Sequence, residues 1–153
     1  MTTAAPSTGR LHIREAERAD LLAVYRIEQE AFPQPWPFTA FEQYLGEPGF
    51  LVADDRTIAG YVVADAVSTH AAPIGHIKDL AVHEDRRREG IGTLLLTSAL
   101  DVLDSQVDSV KLEVRESNET AIELYEEHGF EYLRRLGEYY SNGEDALVMV
   151  RDL

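Results

Sequence analysis

The apolar positions change period several times along the chain, and each change marks an element. Leu11-His12-Ile13-Arg14 alternates as a short strand does, and Leu21, Leu22, Val24, Tyr25 and Ile27 then recur at helical spacing, which predicts a helix from about Asp20 to Ala31. The segment Phe32-Pro33-Gln34-Pro35-Trp36-Pro37-Phe38 cannot continue that helix, because three prolines remove donors and push their predecessors to extended shapes. It reads as a stiff aromatic loop. Thr39 with Glu42 has capping-box spacing and predicts a short second helix ending near Gly46. From Phe50 the pattern turns to β: Phe50 to Ala53, a turn at Asp54-Asp55-Arg56, Ile58 to Val67, and Ile74 to Val82, read as three antiparallel strands.

Helical spacing returns from Gly90 to Leu103, with Ile91, Leu95, Ala99 and Val102/Leu103 on one side. Ser109 to Arg115 alternates strictly, so Val110, Leu112 and Val114 share one strand face and Lys111, Glu113 and Arg115 the other. Asn118 is placed to cap a helix through Ala121, Ile122, Leu124 and Tyr125, with Gly129 as its left-handed stop. Two last strands, about Phe130 to Leu136 and Asp145 to Arg151, fit a hairpin around Ser141-Asn142-Gly143. The strand-helix-strand crossover at Gly90 requires its two strands to be parallel within a mostly antiparallel sheet. The fold class is therefore mixed α+β.

A chain of 153 residues fits one domain, read here as residues 11–153 behind a flexible tail at 1–10. The absence of cysteine excludes a disulfide framework, a thiolate metal site and a cysteine nucleophile, and agrees with a reducing compartment. The start has no basic, apolar leader and no stretch approaches the ~20 apolar residues of a membrane span, so a cytoplasmic protein without membrane attachment is expected. A net charge of −14 repels phosphate backbones and argues against direct nucleic-acid binding. Lys78 and Lys111 are the only lysines among 14 basic residues, and this acidic, lysine-poor balance suggests adaptation to high salt, as in a halophilic archaeon. His70, His76 and His83 lack the spacing of a metal-binding helix, so no metal is expected and the histidines read as surface or structural. Asp54-Asp55 reads as a hairpin turn and Glu126-Glu127 as a solvated helix face.

The most specific stretch runs Leu80-Ala81-Val82-His83-Glu84-Asp85-Arg86-Arg87-Arg88-Glu89-Gly90-Ile91-Gly92-Thr93: a strand, a basic turn, and glycines opening a helix. A helix start offers unsatisfied N–H groups and the positive end of a dipole, and glycine lets an anion approach the backbone. Three successive arginines in so acidic a chain strengthen a pyrophosphate cradle. Neither a Walker loop nor a dinucleotide fingerprint is present. A plain basic turn with a glycine N-cap is the structural alternative.

Arg87-x-x-Gly90-x-Gly92 resembles the acyl-CoA signature of the GNAT superfamily of N-acetyltransferases. The likeness extends to the RimI-type enzymes that acetylate ribosomal-protein N-termini. It rests on Glu30-Ala31-Phe32 with Pro35-Trp36, Leu80-Ala81-Val82, Leu112-Glu113-Val114-Arg115-Glu116-Ser117-Asn118, Leu124-Tyr125 with Gly129-Phe130, and Tyr139-Tyr140 before Asp145-Ala146-Leu147-Val148-Met149. The resemblance implies the GNAT fold, a central mostly antiparallel sheet with one parallel, splayed strand pair flanked by about four helices. It implies acetyl-CoA as co-substrate, held by Leu80, Ala81 and Val82, by Arg87, Arg88, Glu89, Gly90, Ile91, Gly92 and Thr93, and by Asn118.

Glu113 is by the same resemblance the base, taking the proton directly or through ordered water, and Tyr125 the acid that protonates the CoA thiolate. An α-amine has a pKa of ~8 and must lose a proton to attack, so some base is needed. Leu80, Ala81 and Val82 would offer backbone N–H groups to the acetyl carbonyl and pantetheine arm. The acceptor, a protein or peptide N-terminus with ribosomal proteins among the candidates, is implied to lie by Phe32, Pro35 and Trp36 of the aromatic loop and by Tyr139 and Tyr140. Each residue has a structural alternative: Glu113 as a strand carboxylate paired with Lys111 or Arg115, Tyr125 as a core tyrosine, Asn118 as a cap alone, and Trp36, Phe38 and the tyrosine pair as cover for the core. Two functional alternatives also stand, a small-amine acetyltransferase and a non-catalytic acyl-CoA-binding module. A monomer or weak dimer is expected.

Overall fold

The computed structural model describes residues 10–153, so the expected tail falls almost wholly outside the described residues. In chain order the elements are β1 (His12–Glu15), α1 (Leu21–Ala31), α2 (Phe38–Gln43), β2 (Phe50–Asp55), β3 (Thr57–Val67), β4 (Ile74–Val82), α3 (Ile91–Asp104), β5 (Ser109–Arg115), α4 (Glu119–Glu127), β6 (Glu131–Leu136) and β7 (Ala146–Asp152). The sequence order of helices and strands is reproduced, with most boundaries within a residue or two. Among the described residues seven strands form a sheet ordered β1-β2-β3-β4-β5-β7-β6. β1 with β2, β2 with β3, β5 with β7, and β6 with β7 are antiparallel. The crossover through α3 makes β4 and β5 parallel, with Gly75, His76 and Ile77 opposite Val110, Lys111 and Leu112.

The capping box is a correction. α2 begins at Phe38 with Pro37 as its N-cap, and no side chain caps it, so Thr39 already lies inside the helix. Proline explains the earlier start, because its φ is set and the missing N–H is no loss ahead of a first turn. Asn118 does cap α4, its Oδ1 accepting the Ala121 N–H at 3.2 Å. Gly129 follows at φ +86°, a left-handed stop that glycine adopts at little cost.

The chain divides into two compact units. Among the described residues the first comprises 10–63 together with Asp79–Val102. Its core gathers Leu21, Val24 and Ile27 from α1 with Phe41, Phe50, Val52, Tyr61, Val63 and Ala81, and each large apolar side chain fully buried there contributes about 1.5–3 kcal/mol. Trp36 and Phe38 pack against that core. Trp36 stacks 5.8 Å from Tyr44 and lies 5.3 Å from Phe41. Gly60 on β3 comes so close to β4 that a Cβ there would sit 2.8 Å from the Ala81 carbonyl oxygen.

The second unit comprises Ala64–Lys78 and Leu103–Leu153. Along β5, Val110, Leu112 and Val114 are buried, while Lys111 and Glu113 on the other face are only partly so, as strict alternation demands. Arg115 departs from the expected exposed face. It is 7% exposed, its guanidinium 3.8 Å from the Tyr140 ring centroid and 3.1 Å from Glu144 Oε1, because a buried cation requires such partners.

Candidate active site

The cradle lies in the first unit. After β4, His83 accepts the Asp85 N–H through Nδ1 and starts a single 3-10 turn, Glu84–Arg86. Arg88 at φ +67° and Gly90 at φ +81° then bend the chain into α3. The Leu94 N–H is given to the Gly90 carbonyl at 3.1 Å. The amides of Ile91, Gly92 and Thr93 precede it and, as in any first turn, have no carbonyl one turn back in the helix. A Cβ at Gly90 would meet nothing within 4 Å, so no neighbouring atom crowds the turn that opens α3. This geometry suits an anion.

The triple arginine separates into three roles. Arg86 binds Asp55 at 3.1 Å and Glu89 at 3.0 Å, which occupies its guanidinium in a structural pair and also ties up the Glu89 carboxylate. Arg87 Nε donates to the Val82 carbonyl at 3.3 Å and is otherwise exposed. Arg88 is exposed. Arg87 and Arg88 are therefore the two arginines whose terminal nitrogens face solvent beside the cradle. Leu80, Ala81 and Val82 end β4 just before the turn, with Ala81 buried and its neighbours partly buried.

The second unit gathers Glu113, His76, Lys78, Lys111, Tyr139 and Tyr140. The parallel register sets His76 opposite Lys111, and Glu113 lies two residues further along β5 on the same face as Lys111. His76 Nε2 lies 2.7 Å from Glu113 Oε1, and Lys111 Nζ 3.4 Å from Glu113 Oε2. On the other side of the imidazole, Lys78 Nζ lies 3.2 Å from His76 Nδ1 and 3.7 Å from Asp65 Oδ1. An ammonium donating to Nδ1 leaves the proton on Nε2, which then donates to Glu113. The hydrogen bond from His76, with lesser help from Lys111, holds the Glu113 carboxyl below the usual carboxylate range, against the desolvation that would raise it. Of the two expected structural partners of Glu113, Lys111 is present, whereas Arg115 is engaged by Glu144.

Tyr139 and Tyr140 meet edge to face at 5.0 Å. Burial pushes the Tyr140 hydroxyl up to about 12 against the opposing effect of Arg115. Burial and the Glu113 charge raise Tyr139 as well. Tyr125 on α4 is 6% exposed and meets Phe130 edge-on at 5.7 Å. Asn118 uses its carbonyl oxygen on the helix cap. The loop residues Phe32, Pro35 and Trp36 belong to the first unit, where Trp36 donates its backbone N–H to Glu28 Oε2 at 2.8 Å.

His76 was missed by sequence reasoning, which read the histidines as surface or structural. Its side chain is 17% exposed and its ring bridges Glu113 and Lys78. The available signal was the pair of lone lysines: Lys78 and Lys111 both converge on this one histidine–glutamate pair. Among the described residues no group of three or more His, Asp or Glu side chains is arranged to hold a metal. Likewise no helix there is long and apolar enough to cross a membrane.

Residues 21–130 match the profile of the Acetyltransferase (GNAT) family. The chain is 34% identical over 154 residues to an N-alpha-acetyltransferase of Sulfurisphaera tokodaii, covering 92% of each sequence. It is 34% identical over 143 residues to the [Ribosomal protein bS18]-alanine N-acetyltransferase of Escherichia coli K12, covering 90% of this chain and 94% of that one. Among solved structures, Ard1 from Thermoplasma volcanium superposes with a TM-score of 0.85 at 30% identity, over 94% of this chain and 97% of that one.

Proposed function

Because the chain belongs to the GNAT acetyltransferase family, a family of acetyl-CoA-dependent N-acetyltransferases, we propose that it transfers acetyl to the N-terminal α-amine of a protein by direct attack in a ternary complex. The observation that carries this reading is the Glu113 carboxylate, held ionised by His76 and Lys111 next to the paired tyrosines Tyr139 and Tyr140. The names of the relatives, N-alpha-acetyltransferase and ribosomal-protein-alanine N-acetyltransferase, support the α-amine over a small-molecule amine.

The residues of the cradle fit acetyl-CoA. The amides of Ile91, Gly92 and Thr93, with an uncrowded Gly90 before them and Arg87 and Arg88 beside them, suit its phosphates, and acetyl-CoA when bound supplies the activated thioester. Leu80, Ala81 and Val82 flank the acetyl carbonyl and pantetheine arm, and the backbone N–H groups of Ala81 and Val82 stabilise the oxyanion that develops on the carbonyl, since the Leu80 N–H is given to the Asp79 carboxyl. Glu89 serves the cradle through its backbone, since its carboxylate holds Arg86. Asn118 caps α4 through its carbonyl oxygen and keeps its amide nitrogen as a donor for the cofactor.

Glu113 has a lowered pKa, which makes it a poor direct base for an amine titrating near ~8. It works as the anionic end of a relay: the proton leaves the amine through ordered water drawn toward the carboxylate and passes on to solvent, while His76 Nε2 and Lys111 Nζ hold the carboxylate in place. As the C–N bond forms and the C–S bond breaks, Tyr125 donates its proton to the departing thiolate. Phe32, Pro35 and Trp36, with Tyr139 and Tyr140, contact the first residues of the acceptor, ribosomal proteins included. We read residues 11–153 as one catalytic domain and the cytoplasm as its site of action.

The test is transfer to short peptides differing in their first two residues, followed by CoA release and peptide mass at low and at molar salt. Glu113→Gln is expected to bind acetyl-CoA as the parent does and to lose at least about 100-fold in turnover. Equal turnover by variant and parent removes Glu113 from the chemistry. Acetylation of free amino acids but of no peptide moves the reading to a small-amine enzyme.

A further inference from the structure

Glu28 on α1 is 2% exposed, and the acetyl-transfer scheme gives it no task. Its Oε2 accepts the Trp36 backbone N–H at 2.8 Å, and its Oε1 accepts the hydroxyl of Tyr61 from β3. Asp79 on β4 joins the same group: the Tyr61 hydroxyl is 3.3 Å from Asp79 Oδ2, and the Leu80 N–H donates to the Asp79 carboxyl. Burial and the neighbouring Glu28 raise Asp79 well above the usual carboxylate range, which favours its neutral form. Burial and both carboxyls raise Tyr61 too, so its hydroxyl remains a donor. Glu28 thus accepts from two donors at once, the Trp36 amide of the loop and the Tyr61 hydroxyl of β3, with Asp79 of β4 beside the same hydroxyl.

The loop that Glu28 grips explains why such a group would be kept. Pro33, Pro35 and Pro37 have no N–H, so between Phe32 and Phe38 only Gln34 and Trp36 can offer a backbone donor. A loop so poor in donors is fixed by what its few donors find. A buried carboxylate is a costly way to gain stability alone, since an apolar replacement is often neutral or better. What it provides is direction: one acceptor that requires the loop, β3 and β4 to be in register with one another.

We propose that Glu28 is a positioning residue for the acceptor segment, fixing Trp36 to the strands that carry Tyr61 and Asp79 and thereby setting the affinity for the acceptor peptide rather than the chemical step. The inference rests on the reading that the Phe32–Phe38 loop binds that peptide. Asp79 ties the group to the strand that continues into Leu80, Ala81 and Val82.

Trp36 is the only tryptophan in the chain, so its fluorescence reports the loop without any turnover. Two variants weaken the grip in different ways: Glu28→Gln replaces one accepting oxygen by an amide that must face a donor, and Glu28→Asp keeps the charge but withdraws it by one methylene. Each is expected to raise the peptide KM about tenfold with kcat within about twofold, and to increase acrylamide quenching of Trp36 at least about twofold, with acetyl-CoA affinity unchanged. Asp79→Asn preserves a neutral donor and is expected to leave quenching and KM within about twofold of the parent. Parental quenching and KM in either Glu28 variant that folds overturns the proposal, as does an Asp79→Asn variant impaired as strongly as Glu28→Gln. If the parent acetylates no peptide, the acceptor reading fails by itself. The quenching comparison still decides whether Glu28 holds the loop.

Discussion

Gly60→Ala tests whether the end of β4 is held at a fixed distance from β3. An added Cβ would lie 2.8 Å from the Ala81 carbonyl oxygen, 3.1 Å from Leu95 Cδ1 and 3.3 Å from Val82 Cα. Ordinary contact for such a carbon starts near 3.4 Å, so the nearest atom must retreat by about 0.6 Å. That atom and Val82 Cα are backbone, and they cannot swing aside as a side-chain terminus can. Overpacking of this kind costs about 1–3 kcal/mol, and the lower chain entropy of alanine in the unfolded state returns about 0.4–1 kcal/mol. The net is a loss of about 1–2 kcal/mol, or about 2–8 °C in the thermal midpoint for a chain of this length.

Gly75→Ala is the matched comparison. Its Cβ would meet Leu103 Cδ1 and Val110 Cγ2 at 3.0 Å and Val107 Cγ2 at 3.2 Å, all ends of side chains that can shift by a few tenths of an ångström. It should therefore cost less than Gly60→Ala. Thermal unfolding of both variants, with titration by acetyl-CoA, separates the effects: Gly60→Ala is expected to weaken acetyl-CoA binding as Ala81 and Val82 move, and Gly75→Ala is not. A Gly60→Ala variant with the parent's midpoint and affinity would refute the claim that the backbone of β4 is positioned by this close approach.

The basic turn, the base and the surface charge each give a further prediction. Arg88→Ala is expected to weaken acetyl-CoA binding by several-fold, whereas Arg86→Ala, which breaks the pairs to Asp55 and Glu89, should lower the thermal midpoint and spare affinity; isothermal titration with acetyl-CoA reads both. Because its folded-state pKa is depressed, Glu113 stays ionised above ~4.3 and loses its charge only as pH falls below that ordinary value. The pH profile of kcat/KM on a peptide should then rise toward the amine pKa of ~8 with no carboxylate limb between about pH 5 and 7, and a limb there that disappears in Glu113→Gln would contradict the depressed value. With a net charge of −14, stability should increase between 0.1 M and 2 M KCl, as the Debye length falls from ~10 Å to below ~3 Å. A flat or falling midpoint in a differential scanning series would show that self-repulsion is not a significant load on the folded chain.

What was legible in the sequence is what periodicity and local chemistry encode. The alternation from Ser109 to Arg115 is enough to separate Glu113 from the row of Val110, Leu112 and Val114, because a strand has only two faces. The crossover at Gly90 is enough to make β4 and β5 parallel, because a helix returns the chain to the same end of the sheet. Thr39 does not cap α2 despite its capping-box spacing, because Pro37, whose fixed φ suits the residue preceding a helix, starts the helix earlier. The missed site residues share a different cause. His76 and Glu113 are 37 positions apart, and Glu28 and Tyr61 are 33 apart; neither pair has any local signature. Their partnership depends on strand register and on which carboxyl groups are driven together inside the fold. The three adjacent arginines present the same limit from the other side: identical neighbours in sequence, they become one structural ion pair and two solvent-facing cations only because Asp55, at the end of β2, meets Arg86 and not the others. A motif thus specifies that positive charge will sit at the helix start, while the fold decides which guanidinium remains available to an anion.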